Sequence, residues 1–330
     1  MRIRKLEPVT FDAANIGTFV HYGMERLMKQ LRAENFDYSS YNQDKIQQFG
    51  DQFAREYLED QLRDFNRSNR FAALYGRMTG LFCQVAENVL GELREGQYQP
   101  YGEEVSLAGV SLEVSNGRFA DLIGSVDRVD TYEKDGKTYL KVTDYKTGNR
   151  TFDLKGITNK DGVQLPIYLY GLMKSGRWKD PRPAAGCYME AQRPVFRTPI
   201  APEDLQEELM KFYRRDGAYL QDPAGLNALD GARGSRYFKI NYNKDGSFKK
   251  GGKVYDPALM GELVEHMETV IKETAEGIFS GKTAVLPMKG REQDACRYCA
   301  FSAVCGFDSE KSPRRLYSEE PFGWREEEQS

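Results

Sequence analysis

The chain lacks long apolar runs, has almost no net charge and carries only 2 histidines. Its longest apolar stretch, around Leu165 to Met173, falls short of the roughly 18 residues that suggest a membrane-crossing helix, so no membrane association is expected. Behind Met1 stand Arg2, Arg4 and Lys5, then Leu6-Glu7-Pro8 where a secretory signal would place an apolar region; this points to the cytoplasm. Lysine and arginine number 47 against 50 acidic residues, a net charge of −3, so no overall basic field argues for nucleic acid. Composition leaves that partner open. What is present excludes disorder: 18 Phe, 20 Tyr and 2 Trp within 330 residues are enough to build a sizeable core.

Cysteine is sparse as well, and 5 is an odd count in a chain expected to be cytosolic, which argues against a disulfide framework and for metal ligation or free thiols. Cys83 falls in the apolar-periodic stretch Leu81 to Leu90, and Cys187 in the strand-like run Ala184 to Ala191, so both are expected in the core. The others form Cys296-x2-Cys299-x5-Cys305 around Arg297, Tyr298 and Phe301, a ligand cluster with one ligand missing. Zinc is one reading of such a run, although zinc sites usually have two ligand pairs and His266 falls in a helical pattern away from the thiols.

The periodicity predicts helices over Ile16 to Leu31, Ile46 to Phe65 and Phe71 to Glu95. From Glu103 to Lys146 the pattern changes to two-residue alternation, broken by the hairpin signals Asn116-Gly117 and Asp135-Gly136. A helix over Val163 to Met173, a strand over Gly186 to Glu190, a helix near Pro202 to Arg214 and a long helix over Pro257 to Phe279 follow. Between them the Gly- and Lys-rich residues 231–255 read as a surface hairpin or flexible insertion. The order predicts one α/β domain with a helical lobe in front.

If Asp135 and Gly136 form a two-residue turn, Lys134 pairs with Lys137, Val129 with Val142, and Asp127 comes to face Asp144. Directly opposed side chains have Cβ atoms about 4.5 to 5.5 Å apart, and like charges there repel, so a positive group is expected between them. Lys146 shares the face of Asp144 two residues on. Two carboxylates and a lysine at a hairpin end suit phosphodiester hydrolysis: the acids hold a hard divalent cation, and the lysine steadies the attacking water or the charge developing on phosphorus. An Asp-x-Lys tripeptide alone says little, since Asp135 to Lys137 and Asp153 to Lys155 also form one. Only Asp144 faces a second carboxylate in the predicted register.

Gly-Ser-Val-Asp127-Arg-Val-Asp and Asp144-Tyr-Lys146-Thr-Gly, with Gly17-x-x-x-His21 before them and Gln164-x-x-x-Tyr168 after, resemble the PD-(D/E)XK nucleases, and among them the RecB-like branch. The resemblance implies a restriction-endonuclease-like core with a mixed central sheet flanked by helices. It further implies Mg2+ or Mn2+ held by His21, Asp127, Asp144 and the Tyr145 carbonyl, catalytic help from Lys146, and a DNA strand positioned by Gln164 and Tyr168. The cysteine run at the C-terminal edge resembles the AddB-type iron-sulfur nucleases over about Leu6 to Phe322, implying a [4Fe-4S] cluster on Cys296, Cys299 and Cys305 whose fourth cysteine lies upstream of this chain. By that resemblance the chain is a fragment or an internal start. It divides into a helical lobe (1–96), a catalytic sheet core (97–192), helices with the insertion (193–290) and a cysteine segment with its tail (291–330), the helicase-like region lying elsewhere. The expected activity is exonucleolytic digestion of the 5'-ended strand, on single-stranded ends from unwound duplex, with an AddA-type helicase-nuclease partner in double-strand-break repair. The alternatives are a CRISPR-associated RecB-like exonuclease and a non-catalytic DNA-binding scaffold with a structural cluster. Gly281-Lys282-Thr283 lacks the glycine at 276 that a phosphate-binding loop needs, so no ATP site is expected.

Overall fold

The computed structural model describes residues 13–61, 69–231, 233–249, 252–289, 294–297, 299–308 and 310–323. The N-terminal part of the expected resemblance from Leu6, the predicted helix beyond Gln61 and Tyr298 lie outside them. Among the described residues three α-helices come first: α1 (Ala13–Ala33), α2 (Gln43–Gln61) and α3 (Asn69–Glu95). Val20, Met24, Leu27 and Leu31 recur on one face of α1 at three- and four-residue steps and are buried with Phe53 and Leu58 of α2 and Phe82, Val85 and Val89 of α3.

Five strands follow: β1 (Gln99–Ser106), β2 (Val110–Glu113), β3 (Phe119–Leu122), β4 (Ser125–Lys134) and β5 (Lys137–Lys146). Asp135 and Gly136 both have positive φ, 51° and 74°, as the two-residue hairpin turn between β4 and β5 requires. Next come α4 (Leu154–Thr158), α5 (Gln164–Lys174), β6 (Pro181–Glu190), α6 (Leu205–Phe212), β7 (Asp216–Leu220), α7 (Pro223–Asp230), β8 (Val254–Tyr255), α8 (Pro257–Phe279), β9 (Met288–Lys289) and β10 (Arg315–Leu316).

The central sheet runs β1-β4-β5-β6-β7-β8 and is mixed: β4 is antiparallel to β1 and β5, β6 is parallel to β5 and antiparallel to β7, and β8 is parallel to β7. A parallel neighbour needs a crossover, which α4 and α5 supply between β5 and β6. On one side Val129 and Val142 pack with Leu165 and Leu169 of α5 and with Leu263 and Met267 of α8. Another core gathers Tyr139, Ala185, Cys187 and Tyr219 with Leu226 of α7 and Phe238. The helical lobe meets the sheet where Tyr145, Met189 and Ala191 join its core.

Several features depart from the sequence reading, among them α4 where a polar loop is expected. All five residues of β7 are buried, so the strand shows no polar alternation to betray it. The short α7 has an N-cap in Asp222, a proline at its start and a left-handed Gly231 at its end, but too few residues to establish a period. Residues 231–255 are more than a surface insertion, because Tyr237, Phe238 and Ile240 are buried and Phe238 bridges Arg215 beside β7. Cys83 and Cys187 are buried, their thiols against the carbonyls of Ile46 at 3.8 Å and Val142 at 3.3 Å. Near the C-terminus Phe322 donates its N–H to Leu154 O at 3.1 Å and lies over His266 at 4.8 Å, tying the tail to α4 and α8. Among the described residues no helix is long and apolar enough to cross a membrane.

Candidate active site

The β4–β5 ladder keeps the register set by its turn, from Lys134 opposite Lys137, through Val129 opposite Val142, to Arg128 opposite Thr143. Asp127 and Asp144 stand one step beyond, at its open end. There the Tyr145 N–H donates to Asp127 Oδ2 at 2.8 Å. Asp144 is only 1% exposed, and the Lys146 ammonium lies 2.5 Å from its Oδ2.

A third carboxylate joins this pair. Gly102 of β1 pairs with Val129, Glu103 with Arg128 and Val105 with Val126, so Glu104 stands opposite Asp127 on its other flank. Glu104, which the sequence reading missed, has a φ of 46°, unusual for a residue other than glycine, and its Oε2 accepts from Ser125 Oγ at 2.5 Å. The only signal was the pair Glu103-Glu104 at the start of the alternating run. The β1–β4 connection passes through the β2–β3 hairpin, so no tight turn fixes its register.

His21 reaches the same place from α1. A Cβ on Gly17 would lie 2.7 Å from Thr147 Cγ2, so the bare glycine lets the start of α1 pass close to the end of β5. One turn later His21 Nε2 lies 3.1 Å from the Tyr145 carbonyl and Nδ1 lies 3.5 Å from Asp127 Oδ2. A carbonyl only accepts, so Nε2 carries the hydrogen in this arrangement. Ligand atoms of His21, Glu104 and Asp127 all fall within 4.8 Å of one another. The cleft beside them holds about 10 Å³, room for one small ion or water. Asp144 turns to Lys146 and Gln164 instead, and the Tyr145 carbonyl faces His21.

Burial pushes the Asp127 carboxyl up to about 6; His21 opposes that rise and the neighbouring Asp144 adds to it. Burial likewise raises Asp144, against the pull of Lys146. Both acids therefore lie where additional positive charge is favoured, and the carboxylates suit a hard divalent cation such as Mg2+ or Mn2+, while the His21 imidazole is the softer donor of the set.

Behind them the opposite side of the hairpin is anchored by buried charge. Arg128 Nε bonds Asp130 Oδ1 at 2.8 Å, Lys141 lies 3.1 Å from Asp130 Oδ2, and Glu92 of α3 pairs with both cations and with Arg215 at 2.7 Å. These residues are at most 1% exposed, so each charge depends on its partners. Gln164, the first residue of α5, directs its Nε2 to Asp144 Oδ1 at 3.0 Å and to Tyr168 OH at 2.7 Å, one turn along the same face.

With this geometry in place, the family model of the PD-(D/E)XK nuclease superfamily matches residues 1–306. The chain belongs to that superfamily. It is also similar to proteins whose names make each of them one subunit of an ATP-dependent helicase/deoxyribonuclease. The one from Desulforudis audaxviator is 30% identical over 323 residues, 93% of this chain and 28% of that protein. The one from Symbiobacterium thermophilum is 28% identical over 95% of this chain and 28% of its own length. That of Clostridium acetobutylicum is 25% identical over 94% and 28%. The chain thus spans a little over a quarter of these relatives, at 28%.

The PD-(D/E)XK match runs through the cysteine segment. Cys296 and Cys299 are partly exposed and Cys305 is exposed, and all three are free thiols. Turns link them: Cys299 donates its N–H to Cys296 O at 3.3 Å and Cys305 to Phe301 O at 3.0 Å. The Cys296 thiol is pushed up by desolvation, then by Asp294, while Arg314 opposes this and the other two thiols add to it. Three sulfur donors on one short segment fit part of the thiolate shell of an iron-sulfur cluster. His266 lies on α8 against Phe322, and Gly281-Lys282-Thr283 follows the end of α8.

Proposed function

We propose that the chain is a divalent-cation-dependent deoxyribonuclease domain that hydrolyses phosphodiester bonds in single-stranded DNA ends. The observation that carries this reading is the row of carboxylates Glu104, Asp127 and Asp144 across three neighbouring strands, with His21 beside Asp127 and Lys146 beside Asp144. His21, Asp127 and Glu104 would hold Mg2+ or Mn2+, with Asp144 and the Tyr145 carbonyl as further ligands once they turn from Lys146 and His21. Such a cation, when bound, supplies Lewis acidity toward the phosphoryl oxygens and balances the carboxylate charge. The chain's own groups do the positioning. The Tyr145 N–H and Gln164 amide fix the two aspartates, the Lys146 ammonium sets positive charge where negative charge grows on the phosphate, and Tyr168 orients the strand with Gln164.

The names of the relatives support a place in a larger helicase-nuclease. In this reading the domain cuts the 5'-ended strand during break processing in the cytoplasm, beside an AddA-type partner, and Cys296, Cys299 and Cys305 carry a [4Fe-4S] cluster. The test is digestion of single-stranded DNA labelled at its 5' or 3' end by the purified chain in Mn2+, Mg2+ or EDTA. Hydrolysis in either cation and none in EDTA is expected, with label release giving the polarity. A folded chain that binds DNA without cutting it in any cation would be a scaffold instead.

A further inference from the structure

Next to Lys146 opens a second cleft of about 510 Å³, within the range of sites that enclose a small ligand. It shares no lining residue with the cleft at His21, Glu104 and Asp127, and Asp144, bonded to Lys146 and Gln164 of its lining, stands beside it. Its rim carries Lys146 and Arg150, and its walls are Val163, Ile167, Tyr168 and Tyr188. Aliphatic and aromatic walls under a cationic rim form the combination that holds a base and its phosphate in single-strand-binding proteins. Tyr168 OH accepts from Gln164, which leaves its own hydrogen for a further acceptor. Arg150 is exposed on the loop after β5, and among the described residues no carboxylate pairs with its guanidinium, whereas Lys146 is engaged with Asp144. Among the described residues Asp161 is the one carboxylate in the lining, and its charge disfavours phosphate there relative to the Lys146–Arg150 rim.

We propose that this cleft is the subsite for the nucleotide next to the scissile phosphate, with Arg150 gripping that nucleotide's outer phosphate. The assignment rests on the deoxyribonuclease reading. It adds that Arg150 is a substrate-binding residue and that one backbone phosphate beyond the cleaved one is recognised. A guanidinium fork on a phosphate forms charge-assisted bonds that an ammonium reproduces only in part.

The test uses the whole 330-residue chain in Ca2+, with binding of a fluorescent single-stranded oligonucleotide followed by anisotropy across a salt series. Arg150→Gln is expected to weaken binding roughly tenfold, as loss of a charged hydrogen bond does. The slope of log affinity against log salt should fall by about 0.7, one phosphate of a single strand. Arg150→Lys should restore the slope but only part of the affinity. A single methylphosphonate beside the cleavage site should weaken the wild type and leave Arg150→Gln indifferent. If Arg150→Gln binds with wild-type affinity and slope, the subsite is overturned, whatever Mn2+ digestion shows. Binding that depends on Arg150 without digestion in Mn2+ keeps Arg150 as a phosphate-binding residue and removes the nuclease reading, and with it the place next to a scissile phosphate; a folded wild-type chain that neither binds nor digests removes both.

Discussion

Replacing Asp127 with asparagine should stabilise the metal-free protein at neutral pH while abolishing the metal site. In the native chain this carboxyl titrates at about 6 against an ordinary value of 3.8, because burial disfavours the charge, His21 only partly offsets that, and Asp144 adds repulsion. Below pH 4 both folded and unfolded chains hold the proton, and the group is neutral in each. As the pH rises toward 6 the unfolded chain releases the proton and the folded one retains it, so stability falls until both are ionised. At about 1.4 kcal/mol per pH unit, the rise from 3.8 to about 6 corresponds to roughly 3 kcal/mol lost above pH 6. Asparagine has no charge to desolvate and its side-chain oxygen still accepts from the Tyr145 N–H. Urea unfolding in EDTA at pH 4.5, 6 and 7.5 should therefore show Asp127→Asn gaining on the wild type as the pH rises, by roughly 1 to 3 kcal/mol at pH 7.5. Mn2+ at a hundred times its dissociation constant should return about 2.7 kcal/mol to the wild type and little to the variant. A variant less stable than the wild type at pH 7.5, or a difference independent of pH, would refute the reasoning.

Gly17→Ala places a methyl where Thr147 Cγ2 already stands at 2.7 Å. Alanine normally gains on glycine within a helix, so a loss of roughly 1 to 3 kcal/mol in urea unfolding is the diagnostic sign. Glu92→Gln removes the buried counter-charge of Arg128, Lys141 and Arg215 and should cost about 3 to 5 kcal/mol, seen as a lower urea midpoint. Cys305→Ser should reduce the iron content of the protein as purified without air, while Cys83→Ser, at a core thiol, should leave it unchanged.

The hairpin was legible because a two-residue Asp-Gly turn admits one register, and from that register the opposition of Asp127 and Asp144 follows. Glu104 was not, since its strand is joined to β4 through another hairpin and a bulge between Pro100 and Gly102 shifts the pairing. Arg128, Asp130 and Lys141 alternate along their strands as a solvated face would, and the approach of α3 with Glu92, together with the Tyr98 and Phe238 rings beside Lys141, makes that face interior. The helices of the lobe were readable from their stripes, whereas β7, wholly buried, has no stripe to read. Tyr237 and Phe238 were the hint that residues 231–255 return to the core, outweighed by the glycines and lysines around them.

The most direct measurement of the central claim is single-turnover digestion of a labelled single strand in Mn2+ by the wild-type chain beside Asp144→Ala and Lys146→Ala, with each variant's fold checked by circular dichroism. If these two side chains carry the chemistry, both variants lose roughly a hundredfold or more in rate, as removal of one transition-state charge partner does, while remaining folded. Digestion by both folded variants at the wild-type rate would contradict the account and place any nuclease activity elsewhere.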